Sequence, residues 1–282
     1  MSSSERIFCR QATDLDIIPI RPGTSAYLMN PDHAPLPWLE PGDTFPSTHQ
    51  AWGANSGAPG LLCVGGDLSV KTLQKAYRAG IFPWFSPGQP VLWWSPDPRM
   101  VLHPADFRLH PSLKKRLKQF IHSPNSEIRV DSAFECVIRA CAGYDRPGQS
   151  GTWIVPDMVQ AYIHLHQVGL AHSVETWVNG QLVGGLYFVA LGRAVFGESM
   201  FHQATDASKI ALAALVAMCR SFGVPQIDCQ QNTPHLASMG AAELPRALFV
   251  ERVTGALCQS APDWAFSPVY WKGLLASTTA TT

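Results

Sequence analysis

The sequence predicts an α+β fold in which helices pack against a mixed sheet, and three observations carry that prediction. The 282 residues are 46% hydrophobic and 15% charged, with a mean hydropathy of +0.02, so a sizeable core is within reach. From about Pro111 onward, segments of helical and strand periodicity alternate at short intervals. Among them a three-strand meander, a long helix and a short strand follow one another in that order. The length suits two modest domains, a small and irregular one over residues 1–100 and a regular one over 101–282.

Residues 1 to about 60 are rich in Pro, Ser, Gly and Asp, and read as extended loop packed through Trp38 and Phe45. The first helix runs from Ser69 to Ala79, with Ser69 as its N-cap and Gly80 in the left-handed closing position. Five prolines then crowd around Trp84, Trp93 and Trp94, which stiffens the backbone beneath these rings. A basic helix (PSLKKRLKQF) and a strand (EIRVD) follow. A helix from Asp131 to Cys141 comes next, where Ser132 and Glu135 have capping-box spacing. Pro156 to Gln167 forms another helix, closed by Gly169. AHSVETWV and QLVGGLYFVAL pair through Asn179-Gly180, the composition of a type I′ turn. Gly192-Arg193 turns the chain into AVFGESMF. The long helix Ala207 to Phe222 ends at Gly223, the strand QIDCQ follows, and a short helix lies near His235 to Met239. The Thr/Ala/Ser tail after Leu275 is expected to fray.

Several function classes are excluded at once. Lys+Arg and Asp+Glu both number 21, so net charge demands no polyanionic partner, and any such partner needs a local patch. The longest apolar run, Ile210 to Cys219, is half the length a bilayer-spanning helix requires. No membrane partner is expected, and Arg10, Asp14 and Asp16 break any apolar leader, so the cytoplasm is the expected compartment. The seven cysteines form no C-x-x-C pair and read as reduced thiols. The phosphate-binding GxGxxG and GxxxxGK[ST], the zinc motif HExxH and the nucleophile elbow GxSxG are all missing. His164 and His166 are two apart on a helix and do not form a metal pair. No metal and no cofactor is expected.

Polar residues at strand ends remain. In an extended strand Asp228 and Gln230 project from one face, as do Glu198 and Met200 in GESM. Two readings stay open for the first pair, a hydrogen-bonded core pair and a reactive site, since burying such groups costs desolvation. Trp84 and Trp153 suit a core or a pocket. Lys114, Lys115, Arg116 and Lys118, with no acidic residue between Phe107 and Pro124, suit a solvated helix face or a phosphate-backbone contact.

GGDLS (Gly65–Ser69), GIFPWFSPG (Gly80–Gly88), WWSPDPR (Trp93–Arg99), GTWI (Gly151–Ile154), HSVE (His172–Glu175), LVGG (Leu182–Gly185), GESMF (Gly197–Phe201), ASK (Ala207–Lys209) and IDCQ (Ile227–Gln230) occur in this order. The series resembles the bacterial leucyl/phenylalanyl-tRNA-protein transferase family. That resemblance implies a small N-terminal domain followed by a GNAT-like acyltransferase domain. It also implies transfer of Leu or Phe, with Met as a further donor, from leucyl-tRNA or phenylalanyl-tRNA to proteins with N-terminal Arg or Lys, creating a degradation signal. Carried over by motif, Asp228 and Gln230 are the catalytic pair, with Asp228 assisting deprotonation or holding the ammonium. Glu198, Ser199 and Met200 line the site, with Glu198 attracting the cationic acceptor, and Trp84 and Trp153 hold the aminoacyl-adenosine end. The pocket for the transferred side chain falls to Leu186, Leu215 and Cys219, where the family can use Met and Phe. The basic helix corresponds to the tRNA-backbone contact in character. An acetyl-CoA-dependent acetyltransferase is the rival on fold alone, but GESMFHQATDASK lacks its glycine-rich pyrophosphate turn. A non-catalytic RNA-binding protein would leave the grouping of Asp228, Gln230 and Glu198 without a reason.

Overall fold

The computed structural model describes residues 36–143 and 154–276. Expectations placed on residues 1–35, on Trp153 and on 277–282 lie outside the described residues. Two sheets organise the rest. The smaller has four short strands, β1 (Trp38–Leu39), β2 (Leu61–Gly65), β3 (Phe82–Pro83) and β4 (Leu92–Trp94), in the order β1-β2-β4-β3. Helix α1 (Val70–Arg78) joins β2 to β3, and the expected cap is present: Ser69 Oγ accepts from the Thr72 N–H, while Gly80 takes φ +72°. Phe45 packs edge-on against Trp93 at 4.8 Å. Trp38, expected in a loop, belongs to β1; its ring packs against Gly65 and it stays 38% exposed.

The larger sheet starts with β5 (Arg99–Leu102). It then takes β6 (Ser126–Val130), β7 (Ala171–Val178), β8 (Gln181–Leu191), β9 (Ala194–His202), β10 (Ile227–Asp228) and β11 (Ala242–Leu244). Their order is β11-β5-β10-β9-β8-β7-β6. The meander β7-β8-β9 is antiparallel, and β10 returns parallel to β9. Asn179 and Gly180 take φ +52° and +72° at the first turn, as a type I′ hairpin needs. The expected boundary at 100/101 falls inside β5, whose first residue already pairs with Leu244 of β11.

Helices α2 (Pro111–His122), α3 (Phe134–Ala142), α4 (Pro156–Gln167), α5 (Ala207–Phe222), α6 (Pro234–Ser238), α7 (Arg246–Leu257) and α8 (Tyr270–Ala276) complete the chain. The alternation along β8 sorts the core into two layers. Tyr187, Val189 and Leu191 face a core shared with α1, α3, α4, α7 and the small sheet. Leu186, Phe188 and Ala190 face the opposite core, built with α2, α5 and α8.

The α3 start departs from the expected capping box. Asp131 has φ +57°, the helix begins at Phe134, and Glu135 pairs with Arg139 instead of reaching back. Buried Glu175 of β7 supplies the acceptors, taking the Ala133 N–H at 2.7 Å and the Ser132 hydroxyl. A carboxylate from a neighbouring strand thus satisfies a donor at this helix start in place of a local one.

Candidate functional site

The centre of the site lies where β10 stops. This strand pairs with β9 for two residues only, Ile227 with Val195 and Asp228 with Phe196. Among the described residues β9 therefore has no strand partner on that edge from Gly197 to His202. Two backbone irregularities aim side chains at the gap. Gln230 takes φ +56°, so the chain leaves the strand directly after Cys229. The expectation that Asp228 and Gln230 project from one extended face is corrected by this turn: they meet because the Gln230 N–H donates to Asp228 Oδ1 at 2.9 Å. The β8–β9 register shifts between Tyr187/Ser199 and Phe188/Gly197, leaving Glu198 as the extra residue of a bulge. Glu198 and Met200, expected on one face, are thereby placed on opposite faces. Glu198 meets the tyrosines of the first core, and Met200 packs with the second.

Asp228 is 1% exposed and held bidentately by Arg99, which is fully buried: Nε donates to Oδ1 at 2.8 Å and Nη2 to Oδ2 at 2.6 Å. Its carboxylate is thus committed to three donors, the third being the Gln230 N–H. Gln230 then reaches across the gap, its Nε2 donating to Glu198 Oε1 at 3.3 Å. Two phenols complete the surroundings of Glu198. Tyr77 of α1 donates to Oε1 at 2.8 Å and Tyr162 of α4 to Oε2 at 3.1 Å, and the two hydroxyls also touch each other. Burial pushes the Glu198 carboxyl up to about 8, with the charge of Asp228 adding to the rise, although the two hydroxyls and Arg99 oppose it. The Glu198 carboxyl thus keeps a proton to higher pH than a free glutamate does. Burial first, then the Glu198 charge, holds Tyr77 and Tyr162 well above the ordinary phenol value.

Of the remaining expected residues, the basic set lies apart from this centre, on α2 beside the edge strand β6. Leu186 and Met200 are direct cross-strand partners, and Leu215 and Cys219 of α5 belong to the same apolar core. Ser199 is nearly buried between the two sets. Trp84 is half-buried; its carbonyl accepts from Trp94 Nε1 at 2.7 Å, and the two rings lie 5.5 Å apart. On α2, Leu113, Leu117 and Phe120 bury one face, leaving Lys115, Arg116 and Lys118 exposed and Lys114 half-exposed. Lys115, Arg116 and Lys118 form no ion pair among the described residues. A separate surface cleft of 470 Å³ sits at the other end of the β5–β10 pair, lined by His103, Arg220 and Arg252 among others. Of the expected site residues, only Cys219 reaches its wall. No group of three or more His, Cys, Asp or Glu among the described residues is arranged to hold a metal ion.

Arg99, Tyr77 and Tyr162 were not singled out from sequence. A lone arginine in the otherwise apolar strand RMVL was the available signal for the first, because a charge buried there requires a partner. The tyrosines sit 85 residues apart and meet only through the packing of α1 on α4.

A family model described as leucyl/phenylalanyl-tRNA protein transferase matches residues 101–254, and a model of that transferase's N-terminal domain matches residues 66–97. Among curated leucyl/phenylalanyl-tRNA–protein transferases, that of Albidiferax ferrireducens is 64% identical over 247 residues, covering 88% of this chain and 97% of the relative. The Polaromonas sp. protein is 63% identical over 241 residues, covering 86% and 94%. That of Leptothrix cholodnii is 57% identical over 244 residues, covering 85% and 95%.

Proposed function

The chain belongs to the leucyl/phenylalanyl-tRNA protein transferase family and is an aminoacyltransferase of that type, and from that premise we propose that it moves leucine or phenylalanine from their tRNAs to the N-terminal Arg or Lys of acceptor proteins. The product carries a new N-terminal residue that marks it for degradation in the cytoplasm. No helix among the described residues is long and apolar enough to cross a membrane. We also read the larger sheet as a GNAT-like acyltransferase fold preceded by a small N-terminal domain, and put the boundary just before β5. The support is the meander, the long helix, the parallel strand and the gap left where that strand ends early.

The observation that carries the site assignment is the bridge Asp228–Gln230–Glu198 across this gap. An aminoacyl ester is already activated, so the site has to bring an amine to the carbonyl and stabilise the developing oxyanion. The amine nitrogen attacks, the ester C–O bond breaks, and the amine's proton ends on the departing ribose hydroxyl. Gln230 Nε2 is spent on Glu198, but its Oε1 takes no hydrogen bond among the described residues and is free to orient the amine. Asp228 has its oxygens occupied by Arg99 and the Gln230 N–H. Its role in this reading is to set Gln230, in place of the assisted deprotonation or ammonium holding expected for it from sequence. Glu198 receives the cationic acceptor, and any proton on its carboxyl passes to water as the cation arrives. The apolar set Leu186, Met200, Leu215 and Cys219 takes the transferred side chain, with Ser199 at its rim. Trp84 and Trp153 stack on the terminal adenosine, and Lys114, Lys115, Arg116 and Lys118 contact the tRNA backbone.

The test is transfer of radiolabelled leucine and phenylalanine from their tRNAs, without ATP, to peptides beginning with Arg, Lys or Ala. Label on the Arg and Lys peptides only is expected. Asp228→Ala is expected to lose transfer while aminoacyl-tRNA affinity stays within about threefold. Absence of transfer from both donors would overturn the proposal.

A further inference from the structure

WWSPDPR ends on Arg99, and nothing in the reaction described above uses its charge directly. Its surroundings are nonetheless closely specified. The guanidinium is fully buried and every one of its nitrogens donates: Nε and Nη2 to Asp228, and Nη1 to the Gly80 carbonyl at 3.1 Å. Its carbon lies 4.7 Å from the Phe82 ring centroid and 4.6 Å from that of Phe249, so two aromatic rings hold it by cation–π contact. These partners come from three places. Gly80 and Phe82 belong to the segment that carries Trp84, Asp228 ends β10, and Phe249 lies on α7.

We infer that Arg99 is a positioning residue for the transfer step: it locks Asp228, which in turn holds Gln230 in its left-handed conformation facing Glu198. Three facts lead there. A non-glycine residue at φ +56° is held against a backbone preference and needs an external restraint. The restraint present is the hydrogen bond from the Gln230 N–H to Asp228 Oδ1, the oxygen that also accepts from Arg99 Nε. A planar fork with two parallel hydrogen bonds fixes both the position and the rotation of that carboxylate, which a lysine ammonium does not do. Through Nη1 the same group also ties the Trp84 segment to the catalytic bridge, so the donor side and the acceptor side share one anchor.

The inference rests on Gln230 acting in transfer, and a double-mutant cycle separates the two claims. The variants are Arg99→Lys, Gln230→Ala and both together, with kcat for acceptor peptide, KM for that peptide and aminoacyl-tRNA affinity measured well below each variant's unfolding temperature. Gln230→Ala alone is expected to lower kcat at least tenfold. Arg99→Lys is expected to lower kcat at least tenfold as well, with aminoacyl-tRNA affinity changed less than threefold. In the Arg99→Lys background, Gln230→Ala should then cost less than threefold more. An undiminished Gln230→Ala loss in that background, or an Arg99→Lys chain with normal kcat, overturns the positioning role. A Gln230→Ala chain with normal kcat overturns the reading of Gln230 itself. If Arg99→Lys does not fold, the neutral pair Arg99→Gln with Asp228→Asn enters the same cycle, and the same two outcomes decide it.

Discussion

Glu198 is the residue whose chemistry differs most from what its letter suggests. In water a glutamate is ionised at neutral pH, whereas here burial and the neighbouring Asp228 charge move it up to about 8 against the pull of two phenols and Arg99. The linkage follows in sign. Between the ordinary carboxyl value and about 8 the folded chain holds one proton that the unfolded chain has released, so stability falls as pH rises across that interval. Glu198→Gln keeps the shape and removes the titration. The variant's unfolding temperature should match that of the unchanged chain near pH 5 and exceed it by several degrees near pH 8, about 2–4 °C for each kcal/mol in a chain of this size. Thermal unfolding followed by circular dichroism at the two pH values checks this; an equal difference at both would show that Glu198 is ionised throughout. Sequence reasoning found Glu198, Asp228 and Gln230 through motif spacing but missed how they meet. The bulge at Glu198 and the left-handed turn at Gln230 are single-residue departures that strand periodicity does not signal.

At the scale of elements, long periodic segments were the legible ones. Helices α2, α4 and α5 and the β7-β8-β9 meander occupy the expected stretches, because each carries many apolar positions of one period and a clear stop such as Gly169, Gly192 or Gly223. The short strands of the small sheet, β5, β11 and helices α7 and α8 were not read. The strands among them, two to five residues long, hold too few periods, and proline-rich sequence around them reads as loop. The capping box at Ser132 and Glu135 failed for a different reason, since Glu175, far away in sequence but on the adjacent strand, takes its place. The exposed face of α2 carries a prediction of its own. With its apolar side sealed by Leu113, Leu117 and Phe120, the charges of Lys115, Arg116 and Lys118 are offered outward. Lys115→Glu should weaken aminoacyl-tRNA binding and flatten the dependence of log K on log salt by about one unit. Transfer at saturating aminoacyl-tRNA should be unchanged. Filter binding across a salt series tests it, and an unaltered slope would remove this helix from the tRNA contact.

At the scale of the whole molecule, the two sheets are separate in hydrogen bonding and joined in packing. One apolar core holds Leu62, Cys63, Trp93 and Trp94 of the small sheet together with Tyr187 and Phe196 of the large one and Phe249 of α7. Arg99 crosses the same seam. Exposing that core on one side exposes it on the other, so separate unfolding of the small sheet would strand a large apolar area in water. Two cysteines report on the two parts. Cys63 on β2 is fully buried and its thiol is pushed up to about 12 by that burial, while Cys219 on α5 is fully buried with its thiol raised by the same cause. Neither ionises near neutral pH in the folded chain, so both resist alkylation until their surroundings open. Pulsed alkylation across a guanidinium series, with each site quantified by peptide mass, should give the same midpoint for Cys63 and Cys219. A lower midpoint for Cys63 would show the small sheet leaving first, and the shared core too weak to make the two sheets one cooperative unit.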